Sequence, residues 1–217
     1  MRLLPIPGVF KPHSDSLLLA GQLRDEPRLP GASVLDLCTG SGLLAIEAAR
    51  RGAREVTAVD VSRRAVLAAS MNARLNGVSI RALRGDLFAP LQGRRFDMIV
   101  SNPPYLPSDR AELPKGGAAR AWEGGLDGRA LLDRICAEAA GHLTPGGVLL
   151  LLQSSLAAEA ATSEALQRRG FELSVARRHR GPLGRRGRSR APMLRERGLL
   201  GAGDAEEIVI LRAQLVG

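Results

Sequence analysis

What the sequence has little of narrows it first. Cysteine occurs twice, as Cys38 and Cys136, far apart and without a CxxC pair or a neighbouring histidine cluster. That excludes a disulfide framework and a zinc site, and no metal is expected. Long apolar runs are missing: Val148 to Leu152 falls far short of the ~20 residues that span a bilayer, and Met1-Arg2-Leu3-Leu4-Pro5 lacks the apolar core of a signal peptide. The expectation is a cytoplasmic chain without membrane contact. Lysine is nearly absent, since Lys11 and Lys115 are the only two among 31 Lys and Arg residues. Aromatic residues make up 3%, which gives no row of rings for stacking single-stranded bases. What remains, 45% hydrophobic and 24% charged over 217 residues, is the composition of one folded domain covering 1–217.

The net charge of +9 sits in one place. Residues 177 to 197 hold nine arginines (Arg177, Arg178, Arg180, Arg185, Arg186, Arg188, Arg190, Arg195 and Arg197) against one acid, Glu196. A charge run is commonly a solvated face; the rival reading is an electrostatic grip on RNA or on an acidic protein. Gly181-Pro182-Leu183-Gly184 and Gly187 predict a mobile loop within an arginine-rich segment 177–204, followed by a short helix over Met193 to Leu200.

Elsewhere short apolar runs alternate with helix-length segments. Strands are expected over Ser33–Cys38, Glu55–Asp60, Ser79–Arg84, Phe96–Ser101, Val148–Gln153, Phe171–Ala176 and Glu207–Arg212. Helices are expected over Ser14–Leu23, with Ser14 as N-cap, and over Leu43–Arg51, Arg63–Leu75, Gly128–His142 and Ser155–Arg169. Such alternation demands parallel strands with helices on both faces, and ligands then bind at the carboxyl ends of the strands. Four segments open on that edge: Thr39 to Gly42, Asp60, Asp86, and Asn102 to Tyr105.

Gly40-Ser41-Gly42-Leu43-Leu44-Ala45 follows a strand and opens a helix, as a nucleotide-binding turn does. Asp60, at the end of the second strand, can accept from both ribose hydroxyls of either NAD or S-adenosylmethionine. Asp36 tilts the choice, because an acid there pairs with an ammonium group and repels a pyrophosphate. Asp86 can accept from an adenine amine while Leu87 covers the ring. The plainer reading is that Asp36, Asp60 and Asp86 only cap the elements that follow them.

Ser101-Asn102-Pro103-Pro104-Tyr105 is the most specific signal. Asn-Pro-Pro can simply end a strand. Two prolines also stiffen a turn so that the Asn102 oxygen and the Pro103 carbonyl point to one spot, with the flat face of Tyr105 beside them. Two acceptors fit a planar NH2 group. Holding its hydrogens turns the nitrogen lone pair toward a sulfonium methyl, so that alignment and electrostatics carry the catalysis.

At these residues the chain resembles the HemK-like glutamine N5-methyltransferases, whose members modify the Gly-Gly-Gln loop of translation release factors. The resemblance runs from about Val9 to Arg178. It implies an α/β Rossmann-like class I methyltransferase with a seven-stranded, mostly parallel sheet, and S-adenosylmethionine as cofactor. Phe10-Lys11-Pro12-His13-Ser14-Asp15-Ser16 is similar to the cofactor-side segment of the family's short branch, within an N-terminal segment 1–30, and Ser16 takes the place of its threonine. Cys38 stands where the family usually has glycine. Trp122-Glu123-Gly124-Gly125-Leu126-Asp127-Gly128 is similar to the family's Gly-Gly stretch; by itself it also reads as a loop and N-cap with Trp122 as packing. The implied residues are Asn102, Pro103 and Tyr105 for catalysis, with Ser16, Asp36, Cys38, Gly40, Gly42, Asp60, Asp86, Leu87 and Asn102 for the cofactor. About thirty residues precede Val34, too few for a substrate-recruiting domain, so recognition is expected from elsewhere, and the short branch uses a small activating subunit. The rivals are a methyltransferase for an exocyclic amine of adenine or guanine in RNA or DNA, served by the same tetrapeptide, and a non-catalytic cofactor- or RNA-binding module.

Overall fold

The computed structural model describes residues 1–216. The chain runs through α1 (Ser14–Arg24), β1 (Ser33–Leu37), α2 (Leu43–Arg50), β2 (Glu55–Asp60), α3 (Arg63–Leu75), β3 (Arg81–Arg84), β4 (Phe96–Ser101), α4 (Ala130–Glu138), β5 (Leu143–Ser154), α5 (Glu159–Gln167), β6 (Phe171–Pro182), α6 (Arg185–Glu196) and β7 (Ala205–Leu215). They form one seven-stranded sheet in the order β3-β2-β1-β4-β5-β7-β6. The first five strands are parallel, and β7 runs antiparallel between β5 and β6. This is the expected mostly parallel α/β architecture, with the strand order reversing between β1 and β4.

Both faces of the sheet are covered, which is why β1 reads as an unbroken apolar run. Val34, Met98 and Leu150 pack against Leu19 and Leu23 of α1 and Leu44 of α2. Leu35, Ile99 and Leu149 pack against Leu132 and Ile135 of α4 and Leu166 of α5.

The structure corrects several boundaries. The N-cap of α1 is His13 rather than Ser14, whose hydroxyl bonds to Asp15 instead. The helix expected over Ser155–Arg169 breaks at Ala158, which takes φ +52°. β3 starts at Arg81, and β5 extends to Leu143–Ser154. The largest change concerns the arginines. β6 continues through Arg177, Arg178 and Arg180 to Pro182, because β7 pairs with it over that whole length. β6 is an edge strand, where proline is tolerated. The segment expected as a mobile loop is helix α6, closed over a small core of Leu106, Leu156, Leu183, Ala191, Leu194 and Leu200. Gly187 is buried there against Leu183, so it serves packing.

Candidate functional site

The carboxyl ends of the parallel strands open on a cavity of about 1790 Å³. A site for one small molecule commonly measures ~300–1,000 Å³. There is room for a cofactor and a second, larger group. Cys38, Gly40, Asp60, Asp86, Leu87, Asn102, Pro103 and Tyr105 all line it, and Ser16, Asp36 and Gly42 do not.

Asp60 ends β2 with both carboxylate oxygens oriented by backbone N–H groups, Oδ2 by Gly40 and Oδ1 by Ser62, each at 2.9 Å. Each oxygen keeps lone-pair capacity toward the cavity. That is the acceptor pair a ribose diol requires. Burial pushes the carboxyl above its ordinary range, opposed by those two backbone bonds.

Asp36 departs from expectation. Its side chain is fully buried beneath the glycine turn, where Oδ2 accepts from Thr39 Oγ1 at 2.6 Å and from the Ala45 N–H at 3.0 Å. It holds the turn onto α2, as the capping reading has it, and does not reach the cavity wall. Oδ1 has no partner among the described residues. Burial pushes the carboxyl up to about 7. Gly42 is likewise a packing residue: at φ +85° it opens α2, and a Cβ there would lie 2.9 Å from Cα of Ala69.

Cys38 explains why glycine is usual at its position: it takes φ +60°. Its half-buried side chain faces the cavity, and burial raises its thiol well above the ordinary range, so it is a neutral wall. The Asp86 carboxylate is held by the fork of Arg134, with both contacts at 3.0 Å. Its expected adenine contact therefore shares a carboxylate already engaged at both oxygens. Leu87 stands beside it, buried and at φ +47°.

The tetrapeptide follows β4 directly and is tied down by the first turn of α1. Asn102 Nδ2 donates to Ser16 Oγ at 3.1 Å, an orientation that leaves Oδ1 without a partner among the described residues. Ser16 is thus a buried anchor for Asn102. Tyr105 Oη donates to Asp15 Oδ2 at 2.5 Å, and burial with the nearby Asp15 charge keeps the phenol well above its usual range. The Gly-Gly stretch backs this turn. Leu106 and Ser108 donate to the carbonyls of Trp122 and Gly125 at 2.9 and 2.8 Å. Gly128, at φ +79°, packs so tightly that a Cβ would lie 2.1 Å from the Tyr105 carbonyl oxygen. Close backbone approach, neither looseness nor substrate contact, accounts for that glycine.

Sequence reasoning placed Asp15 in the Phe10 to Ser16 segment but gave it no role of its own, and it passed over the individual roles of the arginines. Arg178 pairs with Glu159 and Glu207, Arg190 with Glu123, Arg195 with Asp204, and Arg177 with Asp25. Arg188 and Arg197 bond backbone carbonyls, and Arg186 stacks on Trp122. The segment is mainly a clamp within the protein. Only its Trp-Glu-Gly-Gly counterpart offered a sequence signal.

These residues fit S-adenosylmethionine: Asp60 presents acceptors for a diol, Leu87 an apolar cover, and the glycine turn a close approach. Residues 1–113 match the family model described as the methyltransferase small domain. A Methanocaldococcus jannaschii protein assigned to the protein N5-glutamine methyltransferases is 39% identical over 176 residues, 81% of this chain and 87% of that protein. A release factor glutamine methyltransferase of Gloeobacter violaceus is 41% identical over 155 residues, 67% of this chain, and the match spans only 54% of that enzyme. A ribosomal protein uL3 glutamine methyltransferase of Bradyrhizobium diazoefficiens is 45% identical over 138 residues, 60% of this chain and 43% of that enzyme. In structure, the E. cuniculi Mtq2-Trm112 complex, responsible for methylation of the termination factor eRF1, superposes with a TM-score of 0.66 at 22% identity, over 96% of this chain and 99% of that one. With its sheet order, its glycine turn and these matches together, the chain belongs to the methyltransferase small domain family and is an S-adenosylmethionine-dependent methyltransferase.

Proposed function

We propose that the protein methylates the side-chain amide nitrogen of a glutamine in a polypeptide, in the Gly-Gly-Gln motif of a translation release factor. The observation that carries this reading is the orientation of Asn102. Its NH2 group is committed to Ser16, so its oxygen is the free end. With the Pro103 carbonyl it forms a pair of acceptors for the two hydrogens of a planar primary amide. The bound cofactor supplies an electrophilic sulfonium methyl. The protein's part is alignment: Asn102 and Pro103 fix the amide plane, Tyr105 is locked by Asp15 as a neutral wall, and the Gly124 to Gly128 backbone prevents the turn from relaxing. The site needs no strong base, because the nitrogen becomes far more acidic once methylated.

The glutamine-methyltransferase relatives support the amide over a nucleobase amine, and a small activating subunit is part of the same proposal by likeness to the termination-factor complex. On α3, Leu67, Met71 and Leu75 form an exposed apolar stripe. It lies on the helix that packs against the unpaired edge strand β3, and offers a surface for that subunit.

The test is methyl transfer from labelled cofactor to a purified protein presenting Gly-Gly-Gln, with no nucleic acid present. Transfer is expected, and changing that Gln to Asn or Ala should abolish it. Robust labelling of RNA with none of the protein would overturn the reading.

A further inference from the structure

One wall of the cavity is built by α6, and among its arginines Arg186 is the one that lies over an aromatic ring. Arg190 pairs with Glu123 and donates to the Pro107 carbonyl at 2.8 Å. Arg197 donates to the carbonyls of Ser108 and Leu126 at 2.7 and 3.0 Å. Together they pin to α6 both strands of the loop that follows the Asn-Pro-Pro-Tyr turn. Arg186 lies over Trp122, its guanidinium carbon 3.8 Å from the ring centroid. Among the described residues Arg186 has no carboxylate or carbonyl partner, and both it and Trp122 line the cavity. Stacking engages the face of a guanidinium and leaves its N–H donors free in the plane. Trp122 is coupled in turn to the catalytic turn, since its carbonyl accepts from the N–H of Leu106, the residue after Tyr105.

We propose that Arg186 is a specificity-determining residue whose in-plane donors take a carbonyl or carboxylate oxygen of the polypeptide beside the methyl-accepting glutamine. The proposal rests on the glutamine reading above. A polypeptide suits this wall better than RNA. The Trp122 face carrying Arg186 is not available for a base, and Arg188, Arg190, Arg195 and Arg197 are engaged within the protein; among the described residues of α6 only Arg185 joins Arg186 at the cavity without a partner, too short a row for a run of phosphates. Arg190 and Arg197 are then positioning residues that hold the platform beneath Arg186.

The test is steady-state methylation of a Gly-Gly-Gln protein by wild type, Arg186→Ala, Arg186→Lys and Arg195→Ala. A lost hydrogen bond from a charged donor should raise KM about tenfold or more in Arg186→Ala, with a smaller effect on kcat. Arg186→Lys should recover part of the loss, and cofactor Kd by calorimetry should match wild type, which shows the fold intact. Arg195→Ala removes the same charge at the Asp204 contact, away from the cavity lining, and should leave KM unchanged. An unchanged KM in Arg186→Ala, or an equal rise in Arg195→Ala, overturns the proposal. So does a variant that loses RNA binding while keeping its KM for protein. Failure of the wild type itself to modify any Gly-Gly-Gln protein overturns the glutamine reading first, and is recognised because it precedes any comparison of variants.

Discussion

Asn102 and Asp60 are both acceptors at the carboxyl edge of the sheet, yet they are held for different partners. Asn102 is oriented by one side chain, Ser16, and Asp60 by two backbone N–H groups. Replacing Asn102 with Ala should lower turnover ~100-fold or more while cofactor affinity changes little, because a preorganised group facing only the transferring atoms is lost. Asp60→Ala should instead weaken S-adenosylmethionine binding by roughly 1.5–3 kcal/mol, the worth of hydrogen bonds to a charged group. Calorimetry with steady-state kinetics separates the two, and a Kd unchanged by Asp60→Ala would leave that residue a purely structural support of Gly40. Asn102 was legible in the sequence because its turn is contiguous. Asp15 was not, because its contact with Tyr105 joins residues 90 positions apart. Ser16 was assigned to the cofactor by resemblance, whereas its hydroxyl points to Asn102.

At the scale of elements, the alternation of apolar runs and helix-length segments conveyed β1 to β5 and their helices well, since buried parallel strands leave a period that polar loops interrupt. It failed at α6. Gly181, Pro182, Gly184 and Gly187 argued for a loop there, and tertiary burial of Leu183, Ala191 and Leu194 outweighs the glycines and Pro192. Pro192 lies inside α6, where it lacks the N–H that would bond the carbonyl of Arg188. Interior proline costs ~3 kcal/mol, and the stiffer unfolded chain returns up to ~1 kcal/mol of it. Pro192→Ala should therefore stabilise the protein by about 2 kcal/mol, read as a higher urea midpoint at constant m-value. A lower midpoint would mean that the proline ring, rather than its missing donor, governs the packing of α6.

The sheet as a whole sets the state of one group that no local pattern reveals. β1 lies inside the sheet, between β2 and β4, with both faces covered, and that coverage removes Asp36 from water. The position of Asp36 at a strand end suggested a partner for the cofactor's ammonium; its burial behind the turn makes it a titrating element of the fold. Its carboxyl stands at about 7 when folded, against 3.8 for a carboxyl in water, because burial disfavours the charged form more than Thr39 and Ala45 support it. A raised acid binds its proton more tightly in the folded state. Its contribution to stability is therefore fully present below about pH 4 and is lost as pH rises through about 7, at no more than ~1.4 kcal/mol per pH unit. Asp36→Asn keeps an oxygen for Thr39 and Ala45 but cannot ionise. Across a pH series of urea unfolding, the difference between variant and wild type should be flat below pH 4, move in the variant's favour between 4 and 7, and level off above. A difference independent of pH would mean that Asp36 ionises in the folded protein without cost, and that the surrounding sheet solvates it far better than its burial allows.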